Sequence, residues 1–202
     1  QLRSHLRKFT MLWTPANDQA PVYFRFYDPR VALDMSQALE PWKLAAFMAP
    51  LETVIVPASP LMVFPTELAL TPESDAARVA NGQGRQFAIG GTEYQRFGEL
   101  AQSRASQALA RSLKERYPQV SEGERMRAVI DATQLGQRYG LASKKQIQTL
   151  VICVLEVGAD FAHRHPDAQR ILDNAKLAGW RKCQLLEEWL PRGRIRHALL
   201  AP

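Results

Sequence analysis

The densest concentration of chemically distinctive side chains is Phe24-Arg25-Phe26-Tyr27-Asp28-Pro29-Arg30-Val31. Three charged groups stand here among four apolar or aromatic ones. The run ends on Asp-Pro, which opens a helix with Asp as the cap and Pro at the first helical position. Charges among apolar groups need partners, because burying them alone is costly. Asp28 can cap the helix while Arg25 or Arg30 pairs with it. Two uses follow: a purely structural corner, or a contact surface, since aromatics and arginine dominate protein interfaces. No other set of reactive residues assembles. His163 and His165 are two apart, which puts them on different faces of a helix. Cys153 and Cys183 lie among apolar neighbours, have no metal-ligand spacing, and read as buried free thiols of a reducing compartment. Glu187 and Glu188 are adjacent and read as solvated. Gly82-Gln83-Gly84 lacks the third glycine and the strand-turn-helix setting of a dinucleotide loop, and no phosphate loop or Gly-x-Ser-x-Gly elbow occurs. The expectation is a chain that is not an enzyme, with no cofactor and no metal.

The elements that must position the corner change character near residue 90. Residues 6–13 and 22–27 read as strands, joined by turn chemistry at Thr14-Pro15-Ala16-Asn17-Asp18-Gln19, so they predict an antiparallel hairpin. The aromatics of 22–27 fall on both faces, which suits a covered strand. Short helices are predicted over 30–39 and 41–48, and strands over 53–56 and 61–64, the latter extending toward 70. Residues 71–84 read as a loop. Beyond it the chain is helical. Thr92-Glu93-Tyr94-Gln95, Ser121-Glu122-Gly123-Glu124 and Ser143-Lys144-Lys145-Gln146 each fit the capping-box pattern. The first helix should run to 116. The second should present Met126, Val129, Ile130 and Thr133 on one face and stop at Gly140. The third carries Ile147, Leu150, Val151, Val154, Leu155, Gly158 and Phe161 at helical spacing and is apolar nearly all round, so it should be central. A fourth helix starts near Pro166, and a last one spans 182–190. The fold class is therefore α+β: a small mixed or antiparallel sheet with short helices, then an all-α C-terminal lobe. The divisions are 1–72, a linker over 73–91, and 92–202.

The chain has 202 residues, 46% hydrophobic and 23% charged, with a net charge of +6. Arginine supplies most of that charge, with a denser tail at Arg181, Lys182, Arg192, Arg194 and Arg196; it permits an acidic partner. No apolar run approaches a membrane span. The first residue is Gln1, which suggests that the natural start lies upstream. Tyr139-Gly140-Leu141-Ala142-Ser143-Lys144-Lys145-Gln146-Ile147 has the form of a helix-turn-helix turn, with Lys144, Lys145, Gln146 and Gln148 available to DNA. Against this, the helix turns apolar on most sides after Thr149. A DNA-binding regulator is thus the alternative function, and no nucleic-acid or membrane partner is expected in the preferred one. A hydrolase whose site lies outside the chain ranks third.

The corner octapeptide resembles the type VI secretion effector-adaptor (chaperone) family, long catalogued as a domain of unknown function. Leu44-Ala45-Ala46-Phe47-Met48-Ala49-Pro50, the Leu6-Arg7-Lys8-Phe9 run and the Tyr139-Gly140-Leu141 turn of the helical lobe fit the same pattern. The similarity is strong over about residues 5–50 and loose beyond. It implies that residues 1–72 are the remainder of an α/β adaptor domain whose N-terminal part is missing. It also implies a cytoplasmic protein that binds a toxic effector and loads it onto the secretion spike protein, without catalysis. The contact residues expected on this basis are Arg25, Tyr27, Asp28, Arg30, Trp42, Trp180 and Trp189, each of which could instead serve packing.

Overall fold

The computed structural model describes residues 2–51, 53–57, 67–70 and 87–200. It is an α+β fold of two compact units, Gln1–Arg104 and Ala105–Pro202.

The first unit opens with a short helix, α1 (Leu2–Arg7), and a hairpin of β1 (Met11–Thr14) and β2 (Asn17–Tyr23). The strand predicted over residues 6–13 is thus only its second half. Leu2, Leu6 and Phe9 recur at four and three residues, a helical spacing that alternation from Leu6 onward conceals. The strands pair antiparallel, Met11 opposite Tyr23 and Leu12 opposite Val22, with an irregularity between Leu12 and Thr14. Leu12 points into the core, while Met11 and Trp13 alternate outward. Asn17 stabilises the turn, its side-chain oxygen accepting from the backbone N–H of Gln19 (3.1 Å) and Ala20 (3.3 Å).

β2 ends at Tyr23, not at residue 27. One more ladder-like bond follows, from Phe24 N to Thr10 O at 2.8 Å, and then the chain turns, with Asp28 N donating to Arg25 O at 2.9 Å. Nor is this segment covered on both faces. Phe24 and Phe26 pack against the core, whereas Tyr23 and Tyr27 are exposed. Helices α2 (Pro29–Ala38) and α3 (Pro41–Met48) start, as predicted, with Pro in the first turn. β3 (Val54–Pro57) and β4 (Glu67–Leu70) form a second antiparallel pair, Val54 opposite Leu70. The strand predicted over 61–64 and the loop over 71–84 lie outside the described residues. Phe9, Leu12, Leu33, Met35, Phe47 and Met48 make the core, with the Phe9 ring edge-on to Phe47 (5.2 Å) and Phe87 (4.8 Å).

Helix α4 (Gly91–Ser112) does not begin with the predicted box. Thr92 and Gln95 face solvent, and Gln95 bonds to Glu99 instead. Glu93 turns inward and its carboxylate accepts from Lys43 Nζ (2.5 Å), Glu40 N (2.9 Å) and Gly90 N (2.7 Å). Buried Asp34 pairs in turn with a partly exposed Arg104.

The second unit is helical. α5 (Glu122–Tyr139) and α6 (Lys144–Val157) both begin with the predicted capping boxes, Ser121 with Glu124 and Ser143 with Gln146. α5 ends at Gly140, whose φ of 70° is the left-handed conformation that favours glycine. The buried face of α5 is Arg125, Ala128, Val129, Ala132 and Gly136; Ile130, expected inside, is 47% exposed. The reason is close approach. Opposite α6, the Gly136 Cα faces Leu141 O and Ile147 so tightly that a Cβ there would lie 2.6 Å from Ile147 Cδ1. Small residues therefore form the contact ridge and larger ones flank it. α6 is central, burying Leu150, Val151, Cys153, Val154 and Val157. It stops at Gly158 instead of reaching Phe161, which opens the one-turn α7 (Phe161–Arg164). α8 (Pro166–Asp173) and α9 (Gly179–Leu200) complete the unit, α9 being longer than the predicted 182–190 segment.

Candidate docking surface

The corner between β2 and α2 is built from within. Asp28 caps α2 with its Oδ1, which accepts from Arg30 N and from Arg30 Nε, both at 3.0 Å; Oδ2 accepts from Arg30 Nη2 at 2.7 Å. One carboxylate thus satisfies a helix N–H and a two-pronged guanidinium. These bonds from Arg30 hold the Asp28 carboxyl at about 2, against burial acting the other way. The carboxylate in turn raises the Arg30 guanidinium further. Asp28 and Arg30 therefore serve the corner itself, while Arg25 is exposed beside them.

What the corner shows to solvent is aromatic. Tyr23 and Tyr27 are 56% and 60% exposed, and their hydroxyls lie 3.1 Å apart. That hydrogen bond is the main reason the Tyr27 hydroxyl is pushed above its ordinary value. Met11 stands directly opposite Tyr23 across the hairpin, and Trp13 follows it on the same face. Met11 is 48% exposed and Trp13 37%. A face carrying Trp13, Met11, Tyr23 and Tyr27 is unusual for a solvated surface, because large apolar side chains there lose the gain of burial. Only Tyr27 of the four was a sequence-level candidate. Strand alternation would have found the others had β1 been started at Met11.

Beneath Tyr27 lies an apolar hollow of about 200 Å³, lined by Leu6, Phe26, Tyr27, Met35, Phe47 and Val54 among others. A second, open hollow of about 520 Å³ adjoins it, lined by Leu2, Arg3, Leu6, Arg7, Thr10 and Phe26. Leu6 and Phe26 line both. α1 forms one wall; His5, on its inner side, donates from Nε2 to Phe47 O at 2.9 Å and ties the helix to α3. Among the described residues the lining has no acid, base or nucleophile set that could move a proton.

The remaining candidates are dispersed. Trp42 is half-buried on α3; its Nε1 donates to Glu40 Oε2 at 2.6 Å and its ring lies 6.4 Å from Phe87. Trp180 is 67% exposed near the start of α9. Trp189 is buried in the second core between Phe161 (5.9 Å) and His165 (5.3 Å). Cys153 and Cys183 are free and buried as expected, and burial pushes the Cys153 thiol up to about 12. Lys144 and Lys145 are exposed at the start of α6, but Gln146 turns back, its Oε1 accepting from Ala142 N (3.0 Å) and Ser143 N (2.9 Å). Among the described residues no group of three or more His, Cys, Asp and Glu could hold a metal, and no helix is long and apolar enough to cross a membrane.

No curated protein and no solved structure matches the chain. Residues 1–46, which include α1, the hairpin, the corner and α2, match the family model described as a domain of unknown function (DUF4123).

Proposed function

We propose that the chain is a non-catalytic adaptor that binds a type VI secretion effector in the cytoplasm and loads it onto the spike protein, with the corner of the first unit as its docking surface. The observation that carries this reading is the exposed Trp13–Met11–Tyr23–Tyr27 face with an apolar hollow beneath Tyr27. Rigid aromatics with polar tips supply contact area at low entropic cost, and an apolar hollow accepts anchoring side chains. The family match supports the same reading, because that domain is commonly associated with effector adaptors of this secretion system. Neither tyrosine is engaged in the core, so both are available to a partner.

The test is co-expression of the full chain with the effector and spike proteins encoded alongside it. A stable complex with the effector, lost in Tyr23→Ala/Tyr27→Ala while the variant keeps its helical content, is the expected result. Purification of the intact full-length chain free of effector contradicts it.

The alternative, a DNA-binding regulator, draws on the exposed Lys144 and Lys145 at the start of α6. It has less to work with. Gln146 is committed to the capping box, and most of α6 from Thr149 on is buried. A salt-sensitive mobility shift on duplex DNA, abolished by Lys144→Glu/Lys145→Glu, is what that reading requires.

A further inference from the structure

The hollow beside α1 has a charge asymmetry that specifies its occupant. Its lining combines apolar Leu2, Leu6 and Phe26 with basic Arg3 and Arg7. These arginines are one helical turn apart on α1, both are exposed, and the described residues place no carboxylate against either. Lys8 and Arg25, both exposed, add the same sign nearby in the chain. Three other basic groups of this unit do have carboxylate partners: Arg30 with Asp28, Lys43 with Glu93, Arg104 with Asp34. Among the described residues no acid lines either hollow. Leu2 is also 46% exposed, so the first turn of the helix presents an uncovered leucine next to Arg3.

We propose that this groove takes an amphipathic segment of the partner protein, with apolar side chains entering between α1 and Phe26 and carboxylates meeting Arg3 and Arg7. This rests on the adaptor reading and adds the chemistry of what is recognised: an acidic, leucine-type helix or strip. The apolar floor supplies the anchoring, and the two arginines supply orientation and discrimination against basic or neutral segments. A planar guanidinium suits a carboxylate in this role, because it engages both oxygens.

The probe is a labelled synthetic amphipathic helix with leucines on one face and glutamates along its flanks, titrated against the full chain by fluorescence anisotropy. A counterpart carries lysine in place of every glutamate. The glutamate peptide is expected to bind about tenfold more tightly than the lysine peptide, from a few partly exposed ion pairs gained in one and repelled in the other, and its binding weakens as salt is raised. Arg3→Glu/Arg7→Glu reverses the preference. Leu2→Ser, at an exposed position that leaves the fold intact, weakens both peptides. Equal binding of the two peptides, or a preference unchanged by the charge reversal, overturns the proposal. So does a self-associated chain that Leu2→Ser dissociates, since the groove is then covered by a second copy. The co-expressed effector separates the two levels. If it binds wild type and the Arg3→Glu/Arg7→Glu variant equally, the groove proposal fails and the adaptor survives; if it binds neither, the adaptor reading fails.

Discussion

At the scale of single residues, the corner depends on one carboxylate doing two tasks. Asp28 is held at about 2 when folded, against an ordinary value of 3.8. Its contribution to stability is therefore fully present above pH 4 and is lost as the pH falls through about 2. Asp28→Asn keeps the cap but removes the charge. Because the pair is partly solvated, the cost at neutral pH should be on the order of 1 kcal/mol, and urea unfolding should show the gap to wild type closing as the pH falls from 4 towards 2. The Asp34–Arg104 pair is a harsher case. Asp34 is 3% exposed, and burial pushes its carboxyl up against the opposing pull of Arg104. Arg104→Ala strands it and should cost about 3 kcal/mol in chemical denaturation. Adding Asp34→Asn should restore part of that loss; an unchanged midpoint in the single variant would show that the pair is idle.

At the scale of elements, what was legible in the sequence is what is encoded locally. The Asp28-Pro29 start, the boxes at Ser121 and Ser143 and the Gly140 stop are each specified by residues a few positions apart, and each forms as read. The box at Thr92 failed because a distant residue outbid it. Lys43 draws Glu93 inward, and no local pattern announces a partner fifty positions away. α1 was missed because Leu6 serves both a helical and an alternating pattern. The α5 face was misjudged because small residues, which carry no hydrophobic signal, form the ridge against α6. Two tests belong here. Gly136→Ala forces a Cβ against Leu141 O and Ile147 and should cost roughly 1–3 kcal/mol, as overpacking does, whereas the open Gly123 should tolerate alanine. Arg125 is buried and its guanidinium donates to three backbone carbonyls, Ala110 (3.1 Å), Tyr117 (3.3 Å) and Val120. It stitches the loop before α5 to the end of α4. Arg125→Ala should cost about 2–3 kcal/mol by thermal melting. Arg125→Lys should recover little, since an ammonium cannot span the same fork of acceptors.

At the scale of the molecule, each unit has its own apolar core, and the two differ in what they expose. The helical unit encloses its reactive groups. Both thiols are buried and Cys153 is pushed up to about 12, so they should resist a thiol reagent until the chain is unfolded by denaturant. The first unit clusters exposed aromatic and aliphatic side chains at its corner, near a basic, apolar hollow. The seven residues singled out from sequence divide accordingly: Tyr27 and Arg25 exposed at the corner, Asp28 and Arg30 holding it in shape, Trp42 half-buried, Trp180 exposed in the other unit and Trp189 in its core. Burial could not be read for the tryptophans because helical position alone does not say which face a neighbour covers. The decisive measurement is calorimetric titration of the purified full chain with the effector that the proposed function requires, in wild type, Tyr23→Ala/Tyr27→Ala and Trp180→Ala. A docking role for the corner predicts at least about a tenfold loss for the tyrosine pair, as expected of aromatic hot spots, and little change at Trp180. Wild-type affinity in the folded tyrosine variant contradicts it.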